Sequence, residues 1–280
     1  LNMINIRLGD IENFPFLEPP EKRAIKDGFD QLLELGAINS KKQLTSLGKK
    51  MVRLPLEPHI SRMIIQAHKE NAQKEIIIIS SGLSIGDPRE RPDEQEEEAK
   101  KIHKQLNVSG SDFLTLHRLW ETYQNQLKSL KTQNKMRRFC RDHFLSYNRM
   151  NEWIDIHQQI VKILKEVRFL KLNIKNAHID SIHRSVLAGI ISNIALKKVK
   201  TNSYTATKNR EIHIFPGSTL FKQSPQWIMC HEIVETSRVF GRNVAPISPQ
   251  WIEELAPALC KSTYSQPFYD SATMCARVYE

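Results

Sequence analysis

The fold class is decided towards the carboxyl end, where the chain reads Trp227-Ile228-Met229-Cys230-His231-Glu232-Ile233-Val234-Glu235-Thr236-Ser237-Arg238-Val239. This stretch is rich in strand-forming residues, and its side chains alternate so that two faces are available. Two shorter stretches before it, residues 203–207 and 211–215, have the same character, and Pro216-Gly217 is a turn pair. Several short strands joined by basic loops predict a small β-barrel in the last third of the chain.

The rest of the chain has helical periodicity. Residues 1–60 predict a small helical unit, which is either a degenerate winged helix or another three-helix bundle. Residues 61–172 predict a helical domain, with a buried helix at 72–83 and an apolar stripe down one long helix from Cys140 to Leu164. Residues 173–280 predict the barrel domain, entered by a helix over 180–196. The fold class expected is therefore multidomain α+β, with two all-α domains before the barrel.

Composition and charge narrow the function classes. The chain has 280 residues, of which 40% are hydrophobic and 26% charged, so a sizeable core is available and wholesale disorder is excluded. The formal net charge of +10 suggests an anionic partner, most often nucleic acid. The excess is uneven, since residues 128–171 carry eleven bases and four acids and residues 197–242 carry eight bases and three acids. No apolar run reaches the ~18 residues that a membrane span requires.

Several kinds of catalytic site are missing from the sequence. A P-loop requires G-x-x-x-x-G-K-[ST], but Gly48-Lys49-Lys50 lacks the hydroxyl residue, and Gln43 takes the place of the first glycine. His231-Glu232 is half of a zinc-protease motif, and Glu235 stands where the second histidine is required. The four cysteines form no Cys-x-x-Cys pair. We therefore expect no catalytic residue, no metal site and no cofactor site within these residues.

Short motifs in a fixed order resemble the region that follows the second RecA-like domain in DEAH-box helicases. They cover nearly the whole chain, and the Asp-Pro-Arg-Glu-Arg-Pro and Phe-Leu-Ser-Tyr forms are similar to the bacterial HrpA-type branch. The motifs are Phe14–Pro20, Leu32–Ile38, Leu44–Gly48, Leu54–Pro58, Leu83–Pro92, Ser111–Leu114, Cys140–Tyr147, Arg149–Trp153, Ile212–Ser218, Trp227–Arg238, Pro249–Ile252 and Leu255–Pro257.

The resemblance implies three modules: a winged helix at 1–60, a helical ratchet, or helicase-associated, domain at 61–172 and an OB-fold at 173–280. In the family these modules close one side of a channel for single-stranded RNA. ATP and magnesium bind to the two RecA-like domains, which precede these modules and are absent from the sequence. The resemblance therefore implies an ATP-dependent RNA helicase as the parent protein, of which this chain is an auxiliary RNA-binding part.

Ten residues are candidates for contact with RNA. The resemblance implies Thr236, Ser237 and Arg238, in the hydroxyl-rich and basic stretch of the OB-fold. Ser218 ends Phe215-Pro216-Gly217-Ser218, where eukaryotic relatives commonly have His-Pro-x-Ser, and Phe215 departs from that form. Charge alone nominates the remaining candidates, which are Lys208, Arg210, Lys222 and Arg242 in the barrel and Arg89 and Arg91 in the ratchet. The alternative for the last two is a salt bridge to Asp87 or Glu90.

The expected partners are single-stranded RNA, with DNA as an alternative, the RecA-like domains of the same protein, and an activator or ribosome-linked protein. Two other readings stay open: a nucleic-acid-binding protein without a motor, and a protein-docking module. The amino terminus has no signal peptide, and a first residue other than Met suggests a piece of a longer protein. We expect a cytoplasmic protein with no membrane partner.

Overall fold

The computed structural model describes residues 1–9, 11–261, 265–270 and 275–279. A helical region occupies the first two thirds of the chain, and most of the strands follow it. The helices are α1 Asn2–Asn5, α2 Lys22–Glu34, α3 Ser46–Val52, α4 Pro58–Glu70, α5 Gln73–Leu83, α6 Glu96–Leu106, α7 Asp112–Leu130, α8 Gln133–Asp142, α9 Tyr147–Glu166, α10 Ile179–Gly189 and α11 Pro249–Leu255. The strands are β1 Ile194–Lys197, β2 Ser203–Ala206, β3 Glu211–Ile214, β4 Trp227–Glu235, β5 Val239–Pro246, β6 Ser265–Asp270 and β7 Cys275–Tyr279.

Helices α4 and α5 form the centre of the helical region. The run Ile76–Ile79 lies in α5 and is buried, which confirms the predicted buried helix. One core joins α5 to α4, α9 and α10, because a helix that is apolar on all sides must be covered by neighbours. A second core surrounds Trp120 and Trp153, whose rings lie 5.3 Å apart. Among the described residues, no helix is long and apolar enough to span a bilayer.

Five strands close into the predicted barrel. Their order around it is β1-β2-β3-β5-β4, with β4 pairing back to β1. All pairs are antiparallel except β3–β5, which is parallel. The interior is filled by Tyr204, Ile212, Ile228, Cys230 and Val244, each fully buried. The barrel is therefore packed with side chains, and ligands must bind on its outside.

Two predicted helices are wrong in their extent. The helix expected over 180–196 ends at Gly189, and the chain enters β1 at Ile194. The long helix expected from Cys140 to Leu164 is two helices, α8 and α9. Phe144 separates them with a left-handed backbone, φ +50°. The break exposes backbone groups that pair with the preceding loop: Phe144 O accepts from Glu90 N at 2.8 Å, and Ser146 N donates to Pro88 O at 2.7 Å.

This pairing matters for the site because it holds the loop from Asp87 to Pro92 against the start of α9. Arg149, in the first turn of α9, donates from Nη1 to the carbonyl of Asp87. The loop carries Arg89 and Arg91, and it faces the barrel across a cleft. The ratchet-like helices thus present two arginines to the barrel from a segment fixed at both ends.

Candidate nucleic-acid interface

Three adjoining depressions run across the barrel and its junction with the helices; together we call them the basic groove. The barrel-end pocket, about 620 Å³, is lined by His213, Lys222, Ser237, Arg238 and Phe240 among others. The helix-side pocket, about 640 Å³, shares Pro216, Phe221 and Lys222 with it. The junction cleft, about 250 Å³, shares Arg89, Arg91, Phe215, Gly217 and Ser218 with the helix-side pocket. The groove is therefore continuous.

Positive charge predominates along the first two pockets. One acid, Glu96, lines them, against six bases: Arg89, Arg91, Lys100, Lys104, Lys222 and Arg238. Lys100 is paired with Glu96 and Glu97, at 3.0 and 2.9 Å, and Arg89 with Asp87, at 2.9 Å. Within the described part of the chain, the other four bases make no salt bridge. Because no carboxylate of the described residues is within salt-bridge distance of them, these four cations can bind an anion.

Thr236, Ser237 and Arg238 form the three-residue tip of the β4–β5 hairpin, between the paired residues Glu235 and Val239. The tip is closed by Thr236, whose N–H and hydroxyl both donate to the carbonyl of Arg238, at 3.0 and 3.3 Å. All three side chains are exposed, and those of Ser237 and Arg238 line the barrel-end pocket. A short turn with an internal hydrogen bond thus holds the Ser237 hydroxyl and the Arg238 guanidinium at the mouth of the groove.

The turn from Phe215 to Ser218 forms the middle of the groove. The guanidinium of Arg242 lies 4.9 Å from the centre of the Phe215 ring, a cation–π contact. A Cβ on Gly217 would approach the same ring to 2.9 Å and the Arg91 guanidinium to 3.4 Å. Only glycine allows that close approach. Two guanidinium groups therefore converge on this turn, and the Ser218 hydroxyl, which accepts from Leu220 N at 3.2 Å, lies beside them.

Arg89 makes the salt bridge that was the alternative to RNA contact. Its Nε and Nη2 donate to the two carboxylate oxygens of Asp87, each at 2.9 Å. Burial tends to raise the pKa of Asp87, but the facing Arg89 outweighs it, so the pKa of the carboxyl is lowered. Arg89 nevertheless lines both the helix-side pocket and the junction cleft. Its role as an RNA ligand stays a prediction, with part of its charge already neutralised.

Lys208 and Arg210 lie outside the groove. They belong to the connection between β2 and β3, whereas Phe215 and Ser218 follow the other end of β3. Both side chains are exposed. The structure thus gathers Arg89, Arg91, Ser218, Lys222, Ser237, Arg238 and Arg242 along one groove, with Thr236 in the hairpin tip beside it, and leaves these two apart.

Sequence reasoning missed several contributors to the groove, among them Lys100, Lys104, His213 and Phe240. Lys104 follows Lys100 by four residues on α6, which places both on one helix face, and this spacing was a usable signal. His213 and Phe240 are facing residues of the parallel β3–β5 pair, with rings 6.3 Å apart. Their proximity depends on barrel closure, which no local pattern encodes. Among the described residues, no three His, Cys, Asp or Glu side chains are grouped to hold a metal.

Three family models match the chain. "Helicase associated domain (HA2), winged-helix" covers residues 30–56, and "Helicase associated domain (HA2), ratchet-like" covers residues 57–146. "Oligonucleotide/oligosaccharide-binding (OB)-fold" covers residues 182–259, which include the five barrel strands. Together with the closed barrel, these matches confirm the predicted fold class.

Relatives from three organisms align with most of the chain. The "ATP-dependent RNA helicase HrpA" of Escherichia coli (strain K12) is 42% identical over 277 residues, 97% of this chain. The HrpA homolog of Haemophilus influenzae is 40% identical over 279 residues, also 97% of this chain. The pre-mRNA-splicing factor ATP-dependent RNA helicase prp22 of Schizosaccharomyces pombe is 26% identical over 255 residues, 91% of this chain. The chain spans only 21% of the length of each relative. The predicted resemblance to HrpA-type helicases is thereby confirmed.

Proposed function

Because the chain carries the helicase-associated winged-helix and ratchet modules and the OB-fold, we propose that it is the single-stranded RNA-binding part of an ATP-dependent DEAH-box RNA helicase. In this proposal the basic groove forms one wall of an RNA channel. The RecA-like domains, with ATP and magnesium, belong to another part of the parent protein and form the opposite side. We also propose a cytoplasmic location.

The observation that carries this proposal is the composition of the groove. Six Lys and Arg side chains and one acid line its first two pockets, and four of the bases are unpaired within the described residues. A strand that moves must be held by contacts that are the same at every step, and the part of RNA that repeats at every step is its sugar–phosphate backbone. Lys and Arg on a rigid wall meet that requirement, because each neutralises a phosphate and releases a counterion whatever the base.

The shape of the groove fits a single strand. His213, Phe215 and Phe240 place rings along it, and Phe215 and Phe240 meet edge to face at 5.9 Å. Rings of this kind stack on unpaired bases of any sequence, whereas bases inside a duplex are already stacked on each other. A wall that combines unpaired cations with rings therefore favours single strands over duplexes.

The same residues indicate that this chain binds the strand and that another part of the parent protein hydrolyses ATP. Thr236–Arg238 and Phe215–Ser218 supply hydroxyls, backbone N–H groups and cations, all of which bind phosphate without bond breaking. Residues 1–280 contain no P-loop sequence. The chain would therefore hold and orient the strand while domain motion powered elsewhere moves it.

A strand-binding titration tests the proposal. Fluorescence anisotropy would be measured with labelled single- and double-stranded RNA and DNA at about 50 and 200 mM salt. We expect single strands to bind more tightly than duplexes, with a slope of log affinity against log salt of about −0.7 for each phosphate contacted. Equal affinity for duplexes, or an affinity that salt does not change, would overturn the proposal. The RNA and DNA arms also measure whether the 2′-hydroxyl is recognised.

A further inference from the structure

The junction cleft differs from the rest of the basic groove because acidic and amide side chains share its wall with arginines. Four of its lining residues are sequence neighbours on β4 and β5, namely His231, Glu232, Arg242 and Asn243. Glu232 is the pairing partner of Arg242. A carboxylate in a groove for a polyanion is unfavourable unless it recognises a hydrogen-bond donor.

The backbone explains why four neighbouring side chains reach the cleft. On β4, Cys230 belongs to the barrel core and Ile233 packs against it, so the inward positions are three apart rather than two. On β5, Val244 belongs to that core, and a Cβ on Gly241 would point to Cys230 at 3.2 Å, so the inward positions are again three apart. Between them Asn243 has a left-handed backbone, φ +49°. This irregularity turns both intervening residues of each strand outward.

Arg242 and Glu232 do not neutralise each other, although they are cross-strand partners. Within the described residues Glu232 has a single charged contact, His231 Nε2 at 3.9 Å, and its side chain is 52% exposed. Arg242 instead lies over the Phe215 ring. The side-chain amide of Asn243 has no hydrogen-bond partner in the described part of the chain. The cleft thus offers a carboxylate whose one charged contact among the described residues is a histidine at 3.9 Å, an amide with no partner there, and a guanidinium that lies over an aromatic ring.

This set of groups matches one nucleobase. Guanine carries two adjacent donors, N1–H and the N2 amino group, on one edge and two adjacent acceptors, O6 and N7, on another. A carboxylate accepts from two parallel donors, an amide NH₂ donates to the acceptors, and a guanidinium plane stacks on the ring. Cytosine offers its amino donor beside an acceptor nitrogen, which would repel the second carboxylate oxygen. Uracil and adenine do not offer that pair of adjacent donors to a carboxylate.

We propose that the junction cleft binds one guanine base turned out of the strand, with Glu232 and Asn243 reading its edges and Arg242 stacked on its face. Arg91, beside Gly217, holds the adjoining phosphate. At about 250 Å³ the cleft lies below the roughly 300–1,000 Å³ of typical small-molecule pockets, which suits a single base. This inference rests on the proposed function, to which it adds a preferred base at one position of the strand.

The test uses single-stranded oligouridine RNA with one central guanosine, inosine, adenosine or cytidine, bound to the protein at fixed salt. We expect the guanosine oligomer to bind about tenfold more tightly than the adenosine and cytidine oligomers, since a bidentate base contact is worth a factor of roughly 5 to 150. Inosine, which lacks the N2 amino group, should fall between. Glu232→Gln should remove the guanosine preference while affinity for unsubstituted oligouridine stays the same or rises.

Two further variants make the test specific. Asn243→Asp keeps a residue that tolerates the left-handed backbone and replaces the amide donor by an acceptor, so the preference should again be lost. Glu235→Gln removes an exposed acid from β4 that does not line the cleft. This variant should keep the guanosine preference. Equal, salt-dependent binding of all four oligomers by the unmodified protein would overturn the guanine site and leave the proposed function standing. Absence of binding to any RNA would overturn both.

Discussion

The carboxylate of Asp112 accepts two hydrogen bonds from Thr219 across the junction between the helices and the barrel. Its Oδ1 accepts from both the N–H and the hydroxyl of Thr219, each at 2.9 Å, and its Oδ2 accepts from the N–H of Val244 at 2.9 Å. Asp112 is the first residue of α7, and its partners lie in the loop after Phe215 and in β5. Together with the apolar packing of Met229 and Ala245 against the helices, this side chain joins the barrel, and with it the groove, to the helical region.

We expect Asp112→Ala to lower the free energy of unfolding by about 3 kcal/mol. The substitution leaves two backbone N–H groups and a hydroxyl without their charged acceptor. One hydrogen bond to a charged group contributes roughly 1.5–3 kcal/mol, and the three bonds share one carboxylate, so their contributions do not add in full. Urea unfolding followed by circular dichroism measures the change. Asp155→Ala, at an exposed position of α9, is the matched control and should change stability by less than about 0.5 kcal/mol. Equal losses for the two variants would show that Asp112 does not join the two regions.

Replacing Arg238 by Ala should weaken single-stranded RNA binding about fivefold and reduce the salt slope by about 0.7, the value for one lost phosphate contact on a single strand. The reason is the position of Arg238 at the tip of the β4–β5 hairpin, unpaired within the described residues and lining the barrel-end pocket. The measurement is the anisotropy titration at several salt concentrations.

Lys208→Ala is the matched control, because it also removes one exposed cation from a barrel loop. Lys208 lies at the other end of β3 from the groove, so the slope should stay within experimental error of the unmodified protein. If Lys208→Ala weakened binding as much as Arg238→Ala, net charge rather than the groove would account for RNA affinity.

Local signals predicted the helices well where local interactions form them. Thr45 stands directly before the short helix α3, where a threonine is a good N-cap, and its hydroxyl accepts from Gly48 N at 3.0 Å. At the start of α7 the sequence offers two cap residues side by side, Ser111 and Asp112, and Ser111 is the cap, accepting from Leu114 N at 3.3 Å. The carboxylate of Asp112 instead accepts hydrogen bonds from Thr219 and Val244, which lie 107 and 132 positions further along the chain. Both residue types are good caps, and only the distant partners decide which one is used.

The sequence predicts which types of residue line the groove, but not which basic residues lie in it. The Thr-Ser-Arg motif and the basic loops identified most of its contributors, since charge and hydroxyl content are visible in a sequence. Which basic loops share one surface depends on strand direction around the closed barrel, which separates Lys208 and Arg210 from Ser218. The Arg242–Phe215 stacking and the outward turn at Asn243 likewise arise from tertiary packing and a single backbone angle.

Acid should destabilise the protein through His183. This side chain is 3% exposed, and its Nε2 lies 2.9 Å from the hydroxyl of Ser111. Burial lowers its pKa to about 4, against a smaller opposing effect of Asp180. An unfolded histidine takes up a proton near pH 6.5, so below that pH the unfolded state binds more protons than the folded one. The stability that neutral His183 contributes is therefore fully present above pH 6.5 and is lost as the pH falls towards 4.

Between pH 7.5 and 5.5 the contribution of His183 amounts to about 1 kcal/mol by proton linkage. We expect His183→Gln, whose amide can still bond Ser111, to reduce the pH dependence of urea unfolding by that amount. An unaltered pH dependence in His183→Gln would contradict the assignment.

Two glycines in helices should respond to alanine in opposite directions. A Cβ on Gly189, at the end of α10, would come within 2.4 Å of Met63 Cγ and 2.6 Å of the carbonyl of His59 in α4. The carbonyl is backbone and cannot give way, so α10 must move from α4, at a cost of about 2–3 kcal/mol. A Cβ on Gly28, inside α2, meets no atom within 4 Å, and alanine there should stabilise by roughly 0.5–1 kcal/mol. Thermal unfolding of both variants measures the difference. A loss of stability in Gly28→Ala would show that the surface of α2 at Gly28 is covered and has no room for a methyl group.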